Sequence, residues 1–285
     1  MGSFAGHALP GSFFIGFGLW WTISQFYRYF TCMRRKVPFK STPTYPISCG
    51  RFNFTLIEPV LKITVVIIGI VGEMYTGYNR DDKRFSPPGN AQHSTMFLVF
   101  GISGVIDILV HYKAKIPKDL DYAIPLLALG VEGLLFHFHL HDRSVLDIRL
   151  HTLLIYAIVF NILGMLLEMK YRHNLLAALC RSYGFTVQGT WFWQVGLILY
   201  SPLSNVQPWK PHDHFELMMV TMYFTWHYVV VFLIMLAIGC IVACFHRHCY
   251  HSNRMDTSAM ESLIKTERND ENGILILEAT EDSNL

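Results

Sequence analysis

Charge is scarce in this chain. Only 15% of its 285 residues are Asp, Glu, Lys or Arg, where soluble domains carry about 25%, which argues against a water-facing globular shell. No long basic run exists and the formal net charge is +2, which excludes an electrostatic grip on nucleic acid. The N-terminus has neither a basic n-region nor a small-residue cleavage site, so its first apolar stretch is expected to remain as a signal anchor. Cysteine is also sparse, with six in all.

What is abundant is apolar surface, at 52% of residues. A membrane-spanning helix needs about 20 mostly apolar residues. Seven such stretches occur, over residues 10–30, 55–75, 93–112, 121–140, 145–169, 175–200 and 215–245. Backbone groups in lipid must bond within their own segment, so each stretch is expected to be a helix. The predicted fold is therefore an all-α seven-transmembrane-helix bundle over residues 1–250, followed by a polar, acidic tail over residues 251–285 that is expected to be disordered.

Lysine and arginine set the orientation. Fifteen fall after spans one, three, five and seven, among them Arg34, Lys113, Lys170, Arg181 and Arg247, and five fall in the alternate loops. The richer side is expected to be cytosolic, which puts the N-terminus in a lumen or outside and the C-terminus in the cytosol. Cys32, Cys49, Cys180, Cys240, Cys244 and Cys249 then lie at or near the cytosolic side, where a disulfide is not expected. Those nearest the membrane are interfacial packing residues or acceptors for palmitate. Asn53-Phe54-Thr55 matches a glycosylation sequon, but its cytosolic placement predicts that it stays unmodified.

Fourteen histidines are present, and they gather. The stretch HFHLHDRSVLDIRLH, His137 to His151, holds four of them with two aspartates. In the predicted topology His7, His93, His137, His139, His141, His151, His212 and His214 all lie near the lumenal face, and His227 lies deeper. Asp147 and His151 are four residues apart and share a helix face. The very short turn between spans four and five brings His139 or His141 within reach of them. Imidazoles with a carboxylate suit zinc, and zinc with an open position activates water. The same groups also suit a pH-titrating network, facing histidines suit a haem, and a histidine at the interface needs no ligand at all. The candidate metal ligands are His139, His141, Asp147, His151, His93, His7 and His227. No reaction follows from them, and zinc is the one cofactor they suggest.

Acids inside the spans cost insertion energy and face a bundle interior or a cavity. Glu132, Asp107 and Glu73 are candidate proton relays or partners of the histidines. Glu58 and Lys62, four residues apart, are expected to offset one another, and Asp107 with His111 repeats that spacing. Pairs of glycines at Gly16/Gly18, Gly69/Gly72, Gly101/Gly104 and Gly130/Gly133 read as close-packing positions. In the tail, Glu271 with Leu275 and Ile276 fits an acidic dileucine pattern that docks on cytosolic sorting adaptors. It would direct the protein to trans-Golgi, endosomal or lysosomal membranes.

Several stretches together resemble the transmembrane protein 45 family. They are GHALPG from Gly6 to Gly11, Gly18-Leu-Trp20, QHSTM from Gln92 to Met96 and Val131-Glu132. With them go His139-x-His141 with Leu146-Asp147 and His151, QGTWFWQVG from Gln188 to Gly196, and Trp226-His-Tyr228. The chain departs from the family at His137, where an aromatic is usual, and His214 sits at a variable position. The resemblance implies a small multipass endomembrane protein, with trafficking, epithelial or innate-immune roles and no established reaction. A non-enzymatic trafficking or signalling protein with a lumen-facing site is the leading expectation. A zinc-dependent hydrolase of a lipid-like substrate, a metal or proton transporter and a haem electron carrier are the alternatives.

Overall fold

Each of the seven expected spans is an α-helix. The structure, a computed structural model, describes residues 3–45, 47–49, 52–79, 84–85, 88–138, 140, 143–203 and 207–252. The helices are α1 Phe4–Arg35, α2 Ile57–Gly77, α3 Pro88–His111, α4 Leu120–Phe138, α5 Val145–Lys170, α6 Leu175–Leu199 and α7 His214–Ser252. Two short antiparallel hairpins were not expected. β1 (Ile47–Cys49) pairs with β2 (Phe52–Phe54) after α1, and β3 (Tyr78–Asn79) pairs with β4 (Arg84–Phe85) after α2. Residues Met1–Cys240 form one compact unit and Ile241–Leu285 a second. His139, His141 and the tail with Glu271, Leu275 and Ile276 lie outside the described residues.

Four helices, α3, α4, α5 and α7, are long and apolar enough to cross a membrane by length and composition. The other three carry polar groups on their buried faces, which dilutes their hydropathy. These are Thr22 and Gln25 on α1, Glu58 on α2, and Arg181, Ser182 and Gln188 on α6. Apolar side chains point outward instead, as at Ile67, Ile68 and Val71 on α2 and Phe232 and Leu233 on α7. That inversion suits a bundle whose solvent is lipid.

The helix starts are set by local chemistry. Ser3 Oγ accepts from Gly6 N at 3.0 Å, and Ser144 Oγ accepts from Asp147 N at 3.3 Å. Asn174 Oδ1 accepts from Leu176 N at 2.8 Å and Ala177 N at 3.4 Å. Each bond satisfies an amide that the helix itself leaves without a partner. Asn174→Ala should therefore lower stability by about 1 kcal/mol, read as a small drop in the unfolding midpoint of the purified protein. Ser144 is the cap of α5, and Asp147 lies in its first turn, where the helix dipole favours a carboxylate.

Packing follows a ring. α1 lies along α6, α6 along α5, α5 along α4, α4 along α3 and α3 along α2, whereas α2 meets α1 only lightly. α7 meets α5 and α6 through aromatic contacts. Phe224 and His227 approach Trp191, and Tyr228 approaches Phe160 and Tyr183.

Glycine permits the closest contact, between α1 and α6. A Cβ on Gly189 would stand 2.7 Å from Gly11 O, and one on Gly11 would stand 2.8 Å from Gly189 O. A Cβ on Gly18 would strike Thr186. Of the glycines expected to pack, Gly18, Gly69, Gly101 and Gly104 do so, Gly133 has Ile158 at ordinary contact distance, 3.4 Å from such a Cβ, and Gly16, Gly72 and Gly130 have no neighbour within 4 Å.

At the end of the ring where α1 finishes, the chain from Lys36 to Tyr45 folds back under the helices. Phe39, Ser41 and Tyr45 are buried. Ser41 N donates to Arg172 O at 2.8 Å, and His173 Nδ1 donates to Phe39 O at 2.7 Å. Burial pushes the Tyr45 phenol up to about 12, so it stays protonated as part of this floor.

Candidate functional site

The end of the ring that carries the α1 N-terminus is here called upper, and the end floored by residues 36–45 lower. At the upper end the i, i+4 pair on α5 forms as its spacing predicts. His151 Nδ1 lies 2.7 Å from Asp147 Oδ1 and 3.0 Å from Asp147 O. Arg143, in the turn before α5, adds a 2.8 Å bond to Asp147 Oδ2.

His7 on α1 completes a ring contact. Its imidazole lies 5.8 Å from that of His151, at 72°. Its Nδ1 donates to Ser3 O at 2.9 Å. The Phe136 ring lies tilted between His151 at 5.8 Å and His93 at 6.4 Å. On α3, His93 Nδ1 meets Glu73 Oε1 of α2 at 3.2 Å, and Asn90 Nδ2 donates to Glu73 Oε2 at 2.7 Å.

His7, His93, Asp147, His151 and Glu73 thus line one end of the bundle, in two groups: His7–His151–Asp147–Arg143 and His93–Glu73–Asn90. Among the described residues, no three of His, Cys, Asp and Glu converge on a point suited to a metal ion. The two Nε2 atoms of His7 and His151 provide fewer nitrogens than a zinc centre requires.

The His227 ring meets Trp191 at 5.4 Å, and Trp191 Nε1 donates to Leu150 O at 3.0 Å. Asp107 is removed from the upper end. It lies fourteen residues along α3 from His93, about 21 Å by helical rise. Its partner is Lys62 on α2 at 2.7 Å, and the expected contact with His111 is replaced by that ion pair. His111 instead lies 3.5 Å from Thr55 Oγ1.

Glu132 lies deeper, on α4, and only 3% of it is exposed. Gln188 Nε2 on α6 is 3.0 Å from each of its carboxylate oxygens. Asn161 Nδ2 on α5 donates to Gln188 Oε1 at 3.0 Å, which turns the Gln188 amide towards Glu132.

Two ion clusters close the lower end. In the first, Lys62 bridges Asp107 at 2.7 Å and Glu58 at 3.5 Å. Glu58 also accepts from Trp21 Nε1 at 2.8 Å and from Tyr45 N at 3.0 Å. In the second, Arg181 pairs with Glu168 through Nε. Tyr122 Oη donates to Glu168 Oε1 at 3.4 Å. Arg181 also donates to the carbonyls of Pro43 and Thr42, at 3.2 Å each, and its guanidinium lies 4.0 Å over the Trp21 ring. Arg181 was expected to be a loop cation. It is instead a buried residue of α6, 2% exposed. Sequence reasoning missed its partnership with Glu168, although a lone arginine on a buried helix face signals a nearby carboxylate.

Two adjoining cavities lie inside the ring. The upper, about 50 Å³, is bounded by His7, Glu73, His93, Glu132, Phe136 and Phe192. The lower, about 90 Å³, is bounded by Phe17, Trp21, Lys62, Tyr122, Arg181 and Phe185. Both touch Pro10, Phe14, Phe97 and Phe100. Together they follow α4 from Glu132 to Tyr122, about 15 Å by helical rise, beside the lightly packed α1–α2 seam.

Comparison with known proteins agrees with a membrane protein. Residues 118–240 match the model of a family described as a family of unknown function, DUF716. The match takes in Glu132, Asp147, His151, Arg181 and Gln188. The chain is 27% identical over 278 residues to transmembrane epididymal protein 1 of Rattus norvegicus, covering 92% of this chain and 88% of that protein. It is 25% identical over 283 residues to transmembrane epididymal protein 1A of Mus musculus, covering 93% and 88%. It is 26% identical over 200 residues to transmembrane epididymal protein 1 of Homo sapiens, covering 69% and 72%. The chain is an integral multipass membrane protein.

Proposed function

We propose that this chain is a non-enzymatic multipass protein of endomembranes that acts in trafficking or signalling by taking a membrane-derived ligand into its central cleft. Its upper end faces the lumen, and the histidine–carboxylate groups there make ligand entry sensitive to pH or to a bound metal. The resemblance to the transmembrane protein 45 family supports the endomembrane placement, and the distribution of lysine and arginine supports the orientation.

The observation that carries the reading is the cleft. It lies inside the ring, is walled mainly by apolar and aromatic side chains, and runs beside the seam where α1 and α2 pack least. Small-ligand sites are concave and mostly apolar, with a few convergent polar groups. The carboxylates of the lower end, Glu58, Asp107 and Glu168, are held in ion pairs with Lys62 and Arg181, which suits a scaffold better than a proton-transfer site. The zinc hydrolase alternative needs a further ligand beside His7 and His151. That ligand would come from His139 or His141.

The test is ligand carry-over. Full-length protein purified in mild detergent should release a small amphiphile, identified by mass spectrometry at a substantial fraction of one per chain. Ser103→Trp places an indole in the lower cavity and should reduce the amount at least fivefold. Equal recovery from both proteins, each folded, would overturn the cleft as a ligand site.

A further inference from the structure

Five acidic residues of the described chain are buried: Glu58, Asp107, Glu132, Asp147 and Glu168. Four have a cationic partner. Lys62 serves Glu58 and Asp107, Arg143 serves Asp147, and Arg181 serves Glu168. Glu132 has only the amide of Gln188. A buried carboxylate needs a counter-charge or a proton, and an ionised carboxylate has about four acceptor positions. Gln188 uses part of that capacity, and Glu132 also borders the upper cavity.

We propose that the upper cavity binds a lipophilic amine, whose ammonium group pairs with Glu132 and whose hydrocarbon body descends into the lower cavity. The inference rests on the ligand-binding reading above and specifies its ligand.

Three features select this chemistry. The ionisable groups bordering the upper cavity are two carboxylates, Glu73 and Glu132, and two imidazoles, His7 and His93. An anionic headgroup would meet the carboxylates at close range, whereas a cation is attracted by them. The remaining walls are apolar and aromatic, with Phe14, Phe97, Phe100, Phe136 and Phe192. A hard metal cation wants about six oxygen ligands, and these walls offer few. An organic ammonium instead gains from aromatic faces. The cleft then continues from Glu132 past Phe97, Phe100 and Phe17, and its charged groups, Lys62, Asp121 and Arg181, lie at the lower end, so a short alkyl tail descends along apolar walls.

The experiment uses full-length protein in phosphatidylcholine nanodiscs and two photoreactive probes of equal chain length. One is a diazirine derivative of hexylamine and the other the matching derivative of hexanol. The amine should label saturably, at the α3 peptide carrying Phe97 and Phe100, and unlabelled hexylamine should compete it away. The alcohol should label at least tenfold less. Glu132→Gln should reduce amine labelling at least tenfold and leave the alcohol unchanged. Because it removes a buried carboxylate that lacks a cationic partner, the variant should unfold at the same temperature as the wild type or higher.

Equal labelling by amine and alcohol, blocked by Ser103→Trp, would overturn the amine assignment and leave the ligand-binding cleft standing. Glu132 would then be a protonated structural acid. Labelling that neither competitor nor Ser103→Trp reduces would overturn both. The wild-type comparison of the two probes decides the assignment even if Glu132→Gln does not fold.

Discussion

Arg181→Met is expected to cost about 3–5 kcal/mol, the loss typical when one partner of a buried ion pair is removed. Glu168, 0% exposed, would remain charged without its guanidinium or would have to take up a proton. The carbonyls of Thr42 and Pro43 would lose their donor, so the floor under the ring would loosen as well. For a chain of this size the unfolding midpoint in detergent should fall by roughly 5–10 °C. The double variant Arg181→Met/Glu168→Met should recover much of that loss, because two apolar side chains replace an ion pair and no charge is stranded. A midpoint for Arg181→Met within about 2 °C of the wild type would show that the pair does not hold the lower end together.

Gly189→Leu is the second large effect. Gly189 and Gly11 face each other across α1 and α6, each within 3 Å of the other's carbonyl oxygen once a Cβ is added. Backbone cannot swing aside as a flexible side chain can. The helices must separate, and the bonds of Gln25 to Ala178 O at 3.1 Å and to Ser182 Oγ at 2.8 Å then stretch with them. Overpacking of this kind costs about 1–3 kcal/mol, and the backbone contacts put this position at the top of that range. Gly16→Ala provides the control. Nothing lies within 4 Å of its added Cβ, so the change should be neutral or stabilise by about 0.5–1 kcal/mol. Parallel thermal unfolding of the two variants reads both outcomes.

The helices were legible in the sequence because a lipid-spanning segment announces itself by the length of its apolar run. Contacts within one helix were also legible. Asp147–His151 and Glu58–Lys62 follow from a four-residue spacing alone, and both form. Contacts between helices depend on how each helix is rotated about its axis, and no spacing encodes that.

Lys62 therefore reaches Asp107, 45 residues away, and Gln188 reaches Glu132, 56 residues away. Asp107, a candidate partner of the upper histidines, shares α3 with only His93 among them, and helical rise separates the two by about 21 Å. No spacing signals the burial of the chain from Lys36 to Tyr45, because Arg181 reaches it from α6. His139 and His141 had the densest local signal, and their placement falls outside the described residues.

The bond between Gln25 and Ala178 joins residues 153 positions apart. At a synthesis rate of about 5–20 residues per second, α6 is completed roughly 10–30 s after α1. Throughout that interval Thr22, Gln25 and the glycine face of α1 have no helix to meet, although α1 is already ready to enter the bilayer. The first helix of this protein must therefore wait for the sixth with a polar stripe towards lipid or in the care of the insertion machinery. The newly made chain should be most vulnerable to degradation before α6 arrives.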